Sequence, residues 1–156
     1  MSEAQVLQGG CLCGKIRYTI TAASPGEAPD SICNYICHCT NCKKSSGGHM
    51  VNSSLFRQDQ FSLTSGTPKC FKDSKTNSGG VISKYFCGDC GSPLYNISSS
   101  GEGFLAVLSG SLDDGSVWWK PNQGTLCHTI PARIQSNHVF QNYLSKESHT
   151  GSLNCP

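Results

Sequence analysis

Val81-Ile82-Ser83-Lys84-Tyr85-Phe86-Cys87-Gly88-Asp89-Cys90-Gly91 carries an alternating segment straight into two cysteines and a glycine. The two-residue period from Val81 to Phe86 predicts a half-buried β-strand. Two cysteines so close on a turn let both thiolates reach one ion at about 2.3 Å without distorting the backbone. The following glycine permits the positive φ that aims nearby amides at the sulfurs. Upstream, Cys11-Leu12-Cys13-Gly14 repeats the pairing, and Cys37-His38-Cys39-Thr40-Asn41-Cys42 forms a third, denser cluster.

Seven of the eleven cysteines fall in these clusters. Tetrahedral zinc takes four ligands, so two pairs make one closed site and the triplet makes one incomplete site. Cys11 and Cys13 with Cys87 and Cys90 would clip together segments distant in sequence, as a structural clamp does. Cys37, Cys39 and Cys42 would hold a second ion locally. Its fourth position is open to water, to a substrate or to another side chain. Cys33, Cys127, His38, His49 and His128 are the candidates to close it, which would make both sites structural. His38 fits worst, because neighbours in an extended segment point to opposite faces. Cys70 and Cys155 read as a buried small hydrophobe and a tail thiol.

The rest of the 156 residues frames these clusters. Short strands are expected over Lys15 to Thr21, Ile32 to Cys37, Val51 to Phe56, Gln60 to Thr64, Gly103 to Ser109 and, late in the chain, Thr129 to Gln135. A helical turn is expected over Thr40 to Ser46, stopped by Gly47-Gly48. Ser24 to Pro29, Ser65 to Pro68, Asp73 to Gly80 and Trp118 to Gly124 read as loops or turns. Asn137 to Leu144 is a short C-terminal helix with one apolar side. These elements imply a mostly-β fold: residues 1–8 as a tail, 9–145 as a single zinc-stapled domain, 146–156 as a flexible end. The hydrophobic content of 37% is low for a self-sufficient core, and metal clamps would supply folding free energy that the core lacks.

Composition narrows the function. Charged residues make up 14% of the chain, the net charge is +2, and no basic run exceeds Lys43-Lys44. Nothing resembles a nucleic-acid stripe or a polybasic anchor, and no apolar stretch approaches the roughly 18 residues of a membrane helix. Met1 to Gly10 lacks the form of a secretory signal. With an odd cysteine count this favours reduced thiols, metal sites and a cytoplasmic location over a disulfide framework.

The segments Gly9-Gly10-Cys11-Leu12-Cys13-Gly14, Cys37-His38-Cys39-Thr40-Asn41-Cys42-Lys43-Lys44-Ser45-Ser46-Gly47 and Phe86-Cys87-Gly88-Asp89-Cys90-Gly91-Ser92-Pro93-Leu94 resemble the glutathione-dependent formaldehyde-activating enzyme family, which also includes centromere protein V. Gly110-Ser111-Leu112-Asp113-Asp114 resembles that family's Gly-Thr-Leu-Asp-Asp turn. The resemblance implies twisted antiparallel sheets like those of methionine-R-sulfoxide reductases. It implies a structural zinc on Cys11, Cys13, Cys87 and Cys90, and a second zinc on Cys37, Cys39 and Cys42 near a glutathione site. Lys43 stands where the family often has arginine, and an ammonium lacks the planar bidentate grip of a guanidinium. The segment Cys127-His128-Thr129-Ile130-Pro131 departs from the family's usual His-Ile ending.

Together these readings lead to an enzyme that makes or breaks a carbon–sulfur bond on a glutathione or related thiol adduct, a carbon–sulfur lyase using two zinc ions. Cys37, Cys39 and Cys42 would hold the working metal, and Lys43, Lys44 and Ser46 would bind substrate carboxylates or amides. Glutathione and a small electrophile or thioether are the expected partners. The competing readings are a thiol redox enzyme and a non-catalytic zinc module that binds other macromolecules.

Overall fold

The computed structural model describes residues 6–24, 27–113 and 123–125. Two sheets carry the fold. The smaller joins β1 (Val6–Gly10), β2 (Arg17–Thr21) and β5 (Phe61–Ser65) in the order β1-β2-β5, antiparallel throughout. The larger holds seven strands in the order β10-β3-β4-β9-β8-β7-β6. These are β3 (Cys33–Cys37), β4 (Val51–Arg57), β6 (Lys69–Asp73), β7 (Ile82–Phe86), β8 (Pro93–Ser98), β9 (Phe104–Leu108) and β10 (Gln123–Thr125). Its neighbours are antiparallel except β10, which lies parallel to β3 with Thr125 opposite Cys37. One α-helix, α1 (Thr40–Ser46), follows β3, and Gly47 caps it at φ 68°.

Alternation along the strands sorts side chains between a core and a cavity. Tyr18 and Ile20 of β2 point inward and are buried, as are Phe56, Leu94, Leu105 and Val107. Full burial of side chains such as Ile20, Phe56, Leu94 and Val107 contributes about 1.5–3 kcal/mol each. An aromatic ladder joins the two sheets: Tyr18 and Phe61 have ring centroids 5.0 Å apart, Phe61 and Tyr95 4.7 Å, and Tyr95 stacks on Tyr85 at 4.5 Å. The alternate residues of the large sheet face the other way. Tyr35 and Cys37, Ser53 and Leu55, Phe104 and Ala106, Asn96, Ile82 and Lys84 line a cavity. The central strand β9 has little exposed surface on either face, since the core covers one and the cavity occupies the other.

The first described strand runs Val6–Gly10. Gly9 and Gly10 lie within β1. A Cβ on Gly9 would sit 2.4 Å from the Tyr18 ring, and one on Gly10 2.3 Å from the Ile16 carbonyl oxygen. The two glycines permit close approach inside a strand. Strands β6 and β8 also lie where no strand was expected. The expected loop at Trp118 to Gly124 contains the start of β10. The expected strand Thr129 to Gln135, the helix Asn137 to Leu144 and the tail 146–156 lie outside the described residues. No described helix is long and apolar enough to cross a membrane.

Candidate functional site

The two paired cysteine clusters fold into matching turns. Cys11 N–H donates to the Ile16 carbonyl at 3.1 Å, Gly14 N–H returns to the Cys11 carbonyl at 3.0 Å, and Gly14 sits at φ 76°. Cys87 N–H donates to the Ser92 carbonyl at 2.9 Å, Gly91 N–H returns to the Cys87 carbonyl at 3.0 Å, and Gly91 sits at φ 75°. Ser92 ties one turn to the other: its hydroxyl accepts the Leu12 N–H at 3.0 Å and lies 3.2 Å from the Cys90 sulfur. Lys15 and Asp89 bridge the turns at 2.8 Å, both well exposed, so this ion pair adds little to stability.

All four sulfurs lie within 4.8 Å of one another, Cys11 and Cys13 at 3.4 Å and Cys13 and Cys87 at 3.7 Å. Four sulfurs at about 2.3 Å around one tetrahedral ion would stand about 3.8 Å apart, so this donor set fits zinc. The Ser92 hydroxyl, with the Ser92 and Cys13 backbone, pulls the Cys90 thiol down to about 5. At Cys13 the Lys15 amide opposes the rise, but Cys11 and the other neighbouring sulfurs push its thiol up to about 12. Four crowded thiols resist losing their protons together, and a bound divalent cation removes that resistance.

The triplet is built within six residues. Cys37 ends β3, and Cys39 is the N-cap of α1, its sulfur accepting the Cys42 N–H at 3.2 Å. Hydrogen bonds from Cys37 and Cys42 hold the Cys39 thiol far below the ordinary thiol range, while Cys37 and Cys39 push the Cys42 thiol up. The three sulfurs lie within 4.8 Å of one another, a spacing that also fits one soft cation. Among the described residues, neither Cys33, His38 nor His49 joins this group. Cys33 and His38 are buried and His49 is exposed. Cys127 and His128 lie outside the described residues.

Cys37, Cys39 and Cys42 all line the cavity, whose volume is about 310 Å³. That size suits a small-molecule site. Its walls combine apolar residues such as Val51, Leu55, Ile82 and Phe104 with a polar group that sequence reasoning missed: Asn41, Asp73, Lys84 and Asn96. Asn41 is gripped twice. Its side-chain amide donates to Asp73 Oδ2 and to the Lys75 carbonyl, each at 2.8 Å, while its own carbonyl accepts from Lys84 Nζ at 3.4 Å. Lys84 and Asp73 pair at 3.1 Å with side chains only 14% and 10% exposed. Burial raises the Asp73 carboxyl, but the bonds from Asn41 and Lys84 outweigh it and hold it below its usual value.

Lys43, Lys44 and Ser46 do not line this cavity. The two lysines lie in the last turn of α1, where cations favour the helix dipole. Ser46 Oγ bonds the Lys43 and Met50 carbonyls and accepts the Gly48 N–H at 3.1 Å, closing the helix end.

The family model for glutathione-dependent formaldehyde-activating enzyme matches residues 6–129. The chain belongs to that family. The formaldehyde-activating family is named for glutathione-linked chemistry, and the chain's two thiol clusters have the spacing to bind metal. No protein of curated function matches the chain. Among solved structures, a Rhodobacter sphaeroides protein determined by a structural genomics effort has a similar fold. Its TM-score is 0.54 at 14% identity, and the match covers 76% of this chain and 99% of that one.

Proposed function

We propose that this formaldehyde-activating family member is a zinc-dependent carbon–sulfur lyase that forms or cleaves the bond between a thiol, glutathione foremost, and a small electrophilic carbon. The observation that carries the reading is the exposure of three thiols to one partly apolar cavity. Cys37, Cys39 and Cys42 would hold the working zinc, and Cys11, Cys13, Cys87 and Cys90 a structural one. Zinc on three thiolates supplies a position at which an incoming thiol loses its proton.

The protein's own residues supply the rest. Val51, Leu55, Phe104 and Ala106 line the cavity with hydrocarbon, which excludes water and favours a nucleophile stripped of its hydration shell. Strand β3 and helix α1 fix the thiols' direction, with Asn41 anchored to β6 and β7 through Asp73 and Lys84. A thiol and an electrophile held together in such a space react as if in one molecule. The reducing cytoplasm is the fitting compartment, since it preserves free thiols.

Exchange NMR on a mixture of formaldehyde and glutathione tests the reading. The protein is expected to accelerate interconversion of the free thiol and its hydroxymethyl adduct, and Cys42→Ser to lose that acceleration. Glutathione is expected to bind more tightly than S-methylglutathione, whose thioether cannot ionise. Equal affinities, with no acceleration, would leave the non-catalytic zinc module as the better reading.

A further inference from the structure

Resting on the thiol-adduct reading above, we infer that Lys84 and Asn96 form the site for the oxygen of the electrophile, the atom on which negative charge develops as sulfur attacks carbon. Lys84 and Asn96 are direct cross-strand partners on β7 and β8. Directly opposed residues of an antiparallel pair have Cβ atoms about 4.5–5.5 Å apart on one face, and both of these line the cavity that holds the three cysteines. The next partner across the sheet, Ala106, carries only a methyl group, and Leu55 follows it. The donor pair therefore borders an apolar floor on which an electrophile's carbon substituent can rest.

Both donors are available, and the ammonium is fixed. An ammonium has three N–H groups. Lys84 gives one to Asp73 and one to the Asn41 carbonyl, and a third remains for a ligand. Asn41 immediately precedes Cys42, so this ammonium is held beside the thiol cluster. The carboxamide of Asn96 makes no side-chain hydrogen bond to the described protein, and it offers two further N–H donors. Asp73 meanwhile engages Asn41, Lys84 and the Lys75 amide. It fixes the ammonium and is not aimed at substrate.

In the forward direction the thiolate sulfur gives an electron pair to the carbonyl carbon. The C–S bond forms as the C=O π bond breaks, and the pair moves to oxygen. That oxygen takes a proton from water, in place of the one the thiol released. No oxidant or reductant enters. Donors preset where charge appears stabilise such a step more than they stabilise the bound ground state.

Isothermal titration with two stable ligands tests the assignment: S-carboxymethylglutathione, which carries an anionic carboxylate one methylene from sulfur, and S-ethylglutathione, a neutral thioether with the same two-carbon chain. Wild type is expected to prefer the carboxymethyl compound by about tenfold or more, the usual effect of charge-assisted bonds. Asn96→Ala breaks no bond in the described structure; it is expected to keep the fold and shrink the preference severalfold. Lys84→Met is expected to abolish it, and Lys84→Arg to restore part of it. S-ethylglutathione is expected to bind all the variants alike. If both ligands weaken in parallel in Lys84→Met and Asn96→Ala, these residues hold the glutathione backbone and the oxygen-site assignment is overturned. An unchanged preference in both variants overturns it as well. If neither ligand binds wild type while glutathione does, the anionic oxygen gains nothing here and the assignment is overturned; if glutathione fails to bind as well, the glutathione reading fails with it.

Discussion

The sulfurs of Cys13 and Cys87 lie 3.7 Å apart although 74 positions separate them in the chain. A metal held there links the small sheet to the end of β7. Structural zinc contributes on the order of 10 kcal/mol, while a domain is typically stable by about 5–15 kcal/mol. Cys90→Ser is therefore expected to leave the protein largely unfolded, with loss of the β-sheet signal in circular dichroism. Cys42→Ser removes a ligand from a local cluster, so the fold is expected to survive with a modest drop in melting temperature. Equal damage from both substitutions would make the triplet a structural site.

Elemental analysis of gently purified protein is expected to find two zinc ions per chain. Chelation is expected to remove them in two phases, the triplet's ion first, because three protein ligands hold metal less firmly than four. One ion after full zinc reconstitution would overturn the two-site arrangement.

Asp73 gives the fold an acid-sensitive contact. Its carboxyl is held below its ordinary value in the folded state. It therefore contributes stability above the unfolded-state pKa of about 4, and that contribution is lost as pH falls through the lower folded value. Asp73→Asn is expected to be less stable than wild type at pH 7 in urea unfolding, with the gap closing in acid. A gap that widens in acid would contradict the assigned ion pair.

Gly9→Ala tests the packing of β1 on β2. The new methyl would meet both the Tyr18 ring and the Ser111 carbonyl oxygen, at 2.4 and 2.6 Å. Overpacking of this kind costs about 1–3 kcal/mol, read as a lower urea midpoint with an unchanged slope.

The Tyr18 hydroxyl donates to Ser111 Oγ at 2.7 Å, and the Ser111 hydroxyl also contacts the Leu94 and Leu108 carbonyls. Ser111→Ala strands a buried phenol at a cost of about 1–3 kcal/mol. Tyr18→Phe leaves Ser111 its carbonyl partners and is expected to cost less. The reverse order would place the important partner elsewhere.

Much of this architecture is written in local patterns. Alternation exposes β2, β3, β4, β5, β7 and β9, and Gly47 marks the end of α1. Both thiol clusters are legible because their ligands come in close pairs and a triplet. Four strands are not, β10 among them because it starts inside the expected loop Trp118 to Gly124. Strand β1 hides behind glycines that serve close packing. Edge strand β6 is exposed at four of its five positions and so shows no alternation. Strand β8 opens on Pro93 beside a register shift at Tyr85 and Phe86. The polar wall of the cavity is also hidden, since Asp73, Lys84 and Asn96 meet only through cross-strand register and the return of β6 and β7 to Asn41. A lysine amid the alternating apolar residues of β7 is the one local hint.

The split clamp also dictates a timetable for synthesis. Strands β1, β2 and β5 can pair once the ribosome has released Ser65, but their metal cannot be fully ligated until Cys90 emerges. In that interval Cys11 and Cys13 stand as neighbouring unpaired thiols on a nascent chain. With the proposed zinc in this clamp, maturation would depend on zinc supply and thiol-reducing capacity during translation, and scarcity of either is expected to lower the yield of folded protein without changing the stability of molecules already made.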